Sequence, residues 1–289
     1  MSKSQNPAPD PQYPAPPDAA EARRLHAQGY IAVDALGGSL ILCPLDTSRK
    51  NLRILDSATA DGHFLTLVRK QLDDPETAEL IGTDIADFPP LDLPNNITLV
   101  KQDFLKPWPE KWEAYFDFVH QRLALSIAGD MDRAVDIVRR LIALLKPGGW
   151  IQIVDTCLML DEIEEGDRPY VKLLKLIGRG TDRFGMNLTL GGSTAEIVRR
   201  AGEGVLRNVG ERQGVSVLGK GAASKELEEM GYEEVEGLIR AATMLLQNTP
   251  QEERPMTLEQ LEMLVAEVRR EAEAGECSLT WYAAWGQKF

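Results

Sequence analysis

The chain has 289 residues, 43% of them hydrophobic, and 32 Lys+Arg against 45 Asp+Glu give a net charge of −13. The apolar share suffices for a core and excludes global disorder, while the acidic balance argues against nucleic acid or an anionic membrane surface as partner. Cys43, Cys157 and Cys277 are far apart and form no CxxC, which argues against a cysteine-built metal site or a disulfide framework.

In chain order, residues 1–17 hold six of the 17 prolines and read as a disordered Pro-rich tail, without the apolar stretch of a secretory signal. A helix is expected over 18–28 with Asp18 as N-cap, then a mixed stretch broken by Gly37-Gly38. From residue 52, strands alternate with helices. Strands are expected at 53–56, 79–84, 97–101, 116–120 and 150–154. A helix over 62–72 carries Phe64, Leu65, Val68 and Leu72 on one side. Another over 131–146 carries Met131, Ala134, Val135, Val138, Leu141, Ile142 and Leu145 with helical period, and Pro147-Gly148-Gly149 is read as its stop. Residues 160–203 read as an insertion with helices near 169–179 and 193–201, 205–218 as strand or irregular, 233–246 and 258–274 as helices, and 278–285 as a last strand.

Strands joined by helical crossovers predict an α/β, doubly wound (Rossmann-like), seven-stranded, mostly parallel sheet with a helical lid insertion. One domain is expected over 18–289, with 160–203 as substrate lid and 225–276 as C-terminal helices. The acidity concentrates there: residues 225–276 hold 14 Glu and 5 Lys+Arg, a solvated face rather than a sign of a cationic substrate. No apolar run is long enough to span a bilayer, and a cytoplasmic location is expected.

In such a sheet, ligands sit at the carboxyl ends of the strands. The first strand runs into Asp56-Ser57-Ala58-Thr59-Ala60-Asp61-Gly62-His63, a loop with one glycine. Asp84 ends the second strand, 22 residues beyond Gly62, where a carboxylate suits a ribose diol. Asp103 follows the third strand and suits an adenine amino group. The fourth strand runs into His120-Gln121-Arg122. Each residue also has a plainer reading. Asp84 and Asp103 can cap turns, and Asp56 can orient its loop without touching ligand. His120 can act as general base or merely line a pocket. His63, at a helix start, is expected neutral and structural. His26 can close over a ligand or lie on the surface. No G-x-S-x-G, no G-x-G-x-x-G phosphate cradle and no metal-ligand spacing is present.

Together these strand ends resemble those of class I S-adenosylmethionine-dependent methyltransferases. The segments 54–62 (ILDSATADG), 107–109 (PWP), 116–125 (FDFVHQRLAL), 145–152 (LKPGGWIQ) and 285–288 (WGQK) further resemble the LaeA-like methyltransferases of fungal secondary metabolism. The resemblance implies S-adenosyl-L-methionine as cofactor. Asp56, Ser57, Ala58 and Gly62 would pass under its methionine part, Asp84 would hold the ribose, Asp103 and Phe104 would contact the adenine, and Ile85 is a further expected cofactor contact. His120 and Gln121 would face the methyl-sulfonium region, with His120 as candidate catalytic base. Ala58 and Ala60 replace two glycines of the family's loop, which costs little at negative φ and more at positive φ. The implied activity is methyl transfer to an oxygen or nitrogen of a small secondary metabolite. Alternatives are a cofactor-binding enzyme of the pericyclase or dehydratase type, or a regulatory methyltransferase-like protein. The expected partner is a small-molecule acceptor, with no metal, nucleic acid or membrane, and homodimer formation stays open.

Overall fold

A computed structural model describes residues 17–89, 91–158 and 161–289; the expected tail, apart from Pro17, lies outside the described residues. Asp18 accepts hydrogen bonds from the N–H groups of Ala20 and Glu21, both at 2.9 Å, and caps α1 (Ala19–Ala35). This helix runs past the expected residue 28 because Ile31 and Ala32 continue its buried stripe.

Strands β1 (Arg53–Ser57), β2 (Glu79–Asp84), β3 (Ile97–Lys101), β4 (Phe116–Arg122), β5 (Leu145–Thr156), β6 (Leu206–Leu218) and β7 (Cys277–Lys288) form one seven-stranded sheet in the order β3-β2-β1-β4-β5-β7-β6. The pairs among β1–β5 are parallel, and β7 runs antiparallel between β5 and β6. The doubly wound sheet expected from the sequence is present.

Adjacent strand residues point to opposite faces, and this sorts the core. Ile54, Leu80, Phe118 and Trp150 pack with Leu65 and Val68 of α2 (His63–Arg69). Their neighbours Leu55, Ile81, Val119 and Ile151 pack on the other face with α3 (Met131–Ala143) and α5 (Thr194–Ala201). A third cluster joins α1, α4 (Pro169–Asp182), α6 (Lys225–Gln247) and α7 (Leu258–Ala274) around Val154, Trp281 and Ala283. The helices of segment 160–203 thus cover the sheet and its neighbours: α4 packs on α6 and α7, and α5 on α3 and β7.

One boundary differs from expectation. The helix α3 ends at Ala143 and β5 begins at Leu145, so Pro147-Gly148-Gly149 lies within the strand. The N–H groups of Tyr115 and Phe116 both donate to Leu144 O, at 2.8 and 3.0 Å, and draw the chain into the sheet. Gly148, at φ +82°, then takes up the register shift between Phe116 and Phe118. Among the described residues, no helix is long and apolar enough to cross a membrane.

Candidate active site

At the carboxyl ends of β1, β2 and β4 lies a cleft. Its floor begins with Asp56, whose Oδ1 lies 2.7 Å from His120 Nδ1 and whose Oδ2 accepts from Thr59 Oγ1 at 2.6 Å. The following loop keeps a glycine-type path with two alanines. Ala58 has φ +58°, Ala60 φ +55° and Gly62 φ +86°, so both alanines sit in the left-handed region at a cost of about 1–2 kcal/mol each. Leu123, at φ +54°, lines the same cleft; strained backbone held by its surroundings gathers at functional sites.

Asp84 accepts from the N–H groups of Ala60 and Ala86, both at 2.8 Å. Burial raises its carboxyl above the usual range, against the pull of these bonds. Asp103 accepts from Leu105 N–H at 2.9 Å, with Lys106 Nζ 3.6 Å away. Asp56, Ala58, Asp84, Ile85, Asp103, Phe104 and His120 all line the cleft.

Ser57, Gly62 and Gln121, named with them from the sequence, do not line it. Gln121 Nε2 donates to Ser57 Oγ at 2.9 Å, both side chains buried. His120 faces the cleft, so its neighbour on the strand must face away, which corrects the placing of Gln121 beside the methyl-sulfonium region. Gly62 serves the turn and packs against β3, where an added Cβ would lie 2.9 Å from Leu99 Cδ2.

The roof is the largest surprise. None of the described residues of 160–203 lines the cleft; α1, through Leu25, Gly29, Ala32 and Val33, and the strap that follows it, through Leu36, Ser39, Leu40 and Leu42, do. Four hydrogen bonds hold this roof down. His26 Nε2 lies 2.7 Å from Asp61 Oδ2, Arg122 Nη2 donates to Leu25 O at 3.3 Å, and Gln152 clamps the strap by accepting from Leu42 N–H at 2.7 Å and donating to Leu40 O at 2.9 Å. His26 lines the cleft, and its ring stacks on His63 with centroids 3.8 Å apart. Burial, and then the neighbouring His26, push His63 down to about 4, which keeps it neutral. Sequence reasoning missed Phe64 and Gln152, and of α1 it offered only His26 as a covering residue, because only the third dimension brings the rest of α1 over the loop.

Behind the cleft, Asp155 accepts from Leu125 N–H at 3.1 Å and Thr156 N–H at 2.8 Å, and burial raises its carboxyl from 3.8 to about 6. The folded chain therefore holds this proton more tightly than the unfolded one. The resulting stability is full below about pH 4 and is lost as pH rises through about 6, a change on the order of 2–3 kcal/mol. Urea denaturation between pH 4 and 7.5 should show this falling limb, and Asp155→Asn should flatten it.

The strand order, with β7 antiparallel between β5 and β6, is that of the doubly wound sheet the sequence predicts. No protein-family model matches the chain. It is 33% identical over 276 residues to the N-methyltransferase sirN of Leptosphaeria maculans, covering 94% of this chain and 93% of that one. It is 32% identical over 272 residues to the methyltransferase psoC of Aspergillus fumigatus, covering 93% and 94%. A shorter match, 46% identical over 124 residues, joins 42% of each chain to the N-methyltransferase verN of Clonostachys rogersoniana. A solved phosphoethanolamine N-methyltransferase 2 of Haemonchus contortus aligns with TM-score 0.48 and 15% identity, over 90% of this chain and 52% of that one. The chain belongs to the family of these fungal methyltransferases.

The site's donor set fits the cofactor of that class. A carboxylate offers about four acceptor positions, so Asp84 can serve its two backbone N–H groups and still accept ribose hydroxyls. Ile85 and Phe104 supply apolar flanks. Residues 58–63 contain no Lys or Arg, as suits a ligand without phosphate. Among the described residues, no His, Cys, Asp or Glu group is arranged to hold a metal ion.

Proposed function

We propose that the chain methylates a nitrogen of a small, largely apolar secondary metabolite, as a LaeA-like member of its family. The observation that carries this reading is the single cleft in which Asp84, Asp103 and His120 meet beneath an apolar roof. Nitrogen is preferred to oxygen because the relatives sirN and verN are named N-methyltransferases.

S-adenosylmethionine supplies an electrophilic methyl group, whose carbon–sulfur bond leaves its electron pair on sulfur as the acceptor forms the new bond. The chain's own residues bind, align and exclude water. Asp84 would accept from the ribose hydroxyls, and Asp103 with Phe104 would hold the adenine, with Ile85 as an apolar flank. Leu36, Leu40, Leu42, Phe64, Leu67 and Val154 wall the remaining volume, which suits an apolar acceptor and keeps water out. Alignment in such a site supplies most of the rate. His120 takes the proton that the acceptor nitrogen loses.

The test is mass spectrometry of metabolite extracts incubated with the protein and trideuteromethyl S-adenosylmethionine. A labelled product with the label fragmenting on nitrogen is expected. His120→Ala is expected to lower kcat about a hundredfold. A product isomeric with its substrate, or label on oxygen or carbon, would overturn the proposal.

A further inference from the structure

We propose that Asp56 serves the reaction as a positioning residue for His120 and is not a ligand of the cofactor; this rests on the methyl-transfer reading above. Asp56 on β1 and His120 on β4 are direct partners in the parallel register, so their side chains leave the sheet on the same face. Both are almost wholly buried, and Oδ1 lies 2.7 Å from Nδ1. The second oxygen is taken by the Thr59 hydroxyl at 2.6 Å.

The acid at this place has another use open to it, holding the loop backbone. It does not do so here. Thr59 N–H donates to Thr83 O at 2.9 Å and Ala60 N–H to Asp84 at 2.8 Å. Asp56 is bonded to two side chains instead, and one of them is His120, which lines the cleft.

The chemistry of the pair follows. A carboxylate only accepts, so Nδ1 carries the hydrogen, and a neutral ring then presents an unprotonated Nε2. Among the described residues, the hydrogen bonds of the His120 ring comprise only the one at Nδ1, and His120 lines the cleft. Phe64 stacks on the ring at 3.9 Å and 14°, and Phe118 lies 6.3 Å away at 24°. These contacts prevent the ring from turning over. The acceptor's proton ends on Nε2, the methyl on the acceptor nitrogen, and Asp56 steadies the imidazolium so formed without itself taking the proton.

A pair that only fastened β1 to β4 would leave the ring's tautomer without consequence, and the experiment separates the two. Nitrogen-15 NMR of labelled histidine rings reads the tautomer directly; with three histidines in the chain, His120→Gln identifies the signal. The wild type is expected to show hydrogen on Nδ1, and Asp56→Leu to shift the ring toward the Nε2–H form. In Asp56→Leu, kcat should fall about a hundredfold, while calorimetric affinity for S-adenosylhomocysteine stays within about threefold. Asp56→Asn keeps the shape and one acceptor but not the charge, and should recover part of the rate while remaining about tenfold or more below wild type. A tenfold loss of S-adenosylhomocysteine affinity with kcat unchanged at saturation would overturn the proposal. So would an unaltered His120 tautomer in Asp56→Leu. Should that variant not fold, Asp56→Asn decides, and wild-type kcat in it overturns the proposal. If the wild type transfers no methyl group, the proposed function fails, and the NMR result still reports on the pair.

Discussion

Asp84→Ala is expected to weaken S-adenosylhomocysteine binding about a hundredfold or more. Two effects add. The ribose hydroxyls lose a charged acceptor, and hydrogen bonds to charged groups contribute about 1.5–3 kcal/mol each. The loop also loses its anchor, because Asp84 is the acceptor for Ala60 N–H and Ala86 N–H at 2.8 Å. With that bond gone, Ala60 has less reason to hold φ +55°, and the strained loop can relax away from the shape that cradles the ligand. Asp84→Asn keeps one acceptor and should fall between the two. Calorimetric titration of the three proteins checks the order; affinities within threefold of one another would make Asp84 a turn cap and nothing more.

Gly214→Ala is expected to cost about 3 kcal/mol or more, and to loosen the roof of a cleft to which it does not belong. Gly214 sits on β6 opposite Trp281. An added Cβ would lie 1.8 Å from Ala35 O and 2.6 Å from Ala35 C, in the last turn of α1. Those are backbone atoms, so no side chain can swing aside. Either β6 leaves the sheet or the end of α1 lifts, and the same helix carries Ala32 and Val33 into the cleft. The variant should therefore lose both urea stability and S-adenosylhomocysteine affinity. Gly166→Ala is the control, since nothing lies within 4 Å of its added Cβ. Equal stability of the two variants would sink the argument.

The fold was legible in the sequence where local pattern and tertiary role agree. The strands at 79–84 and 97–101 and the helix at 258–274 have the expected bounds. Short apolar runs between turn residues mark the strands, and Thr257 and Gln260 form a capping box that starts the helix. The legibility failed where tertiary contacts decide. The end of α1 beyond Gly29 is helical because of what it packs on, and Pro147-Gly148-Gly149 is a strand irregularity because Leu144 is drawn to β4. At the site, the three acids at successive strand ends were visible, since the alternation of strand and helix places them. Gln121 was misassigned by treating two consecutive strand residues, His120 and Gln121, as facing one way, against the period of two. The roof was assigned to 160–203 because that segment is long and apolar, whereas the helix that covers the cleft precedes the sheet in the chain. The positive φ of Ala58 and Ala60 leaves no trace in residue type.

The central claim is that an S-adenosyl cofactor binds between the β1 loop, the ends of β2 and β3, and the underside of α1. Hydrogen exchange with and without S-adenosylhomocysteine, read by mass spectrometry, tests this most directly, because it reports binding and place together. The account predicts slowed exchange in residues 56–63, 84–86 and 103–105, and in α1 from Leu25 to the strap at 39–42. Absence of any protection, or protection confined to other segments, would contradict it.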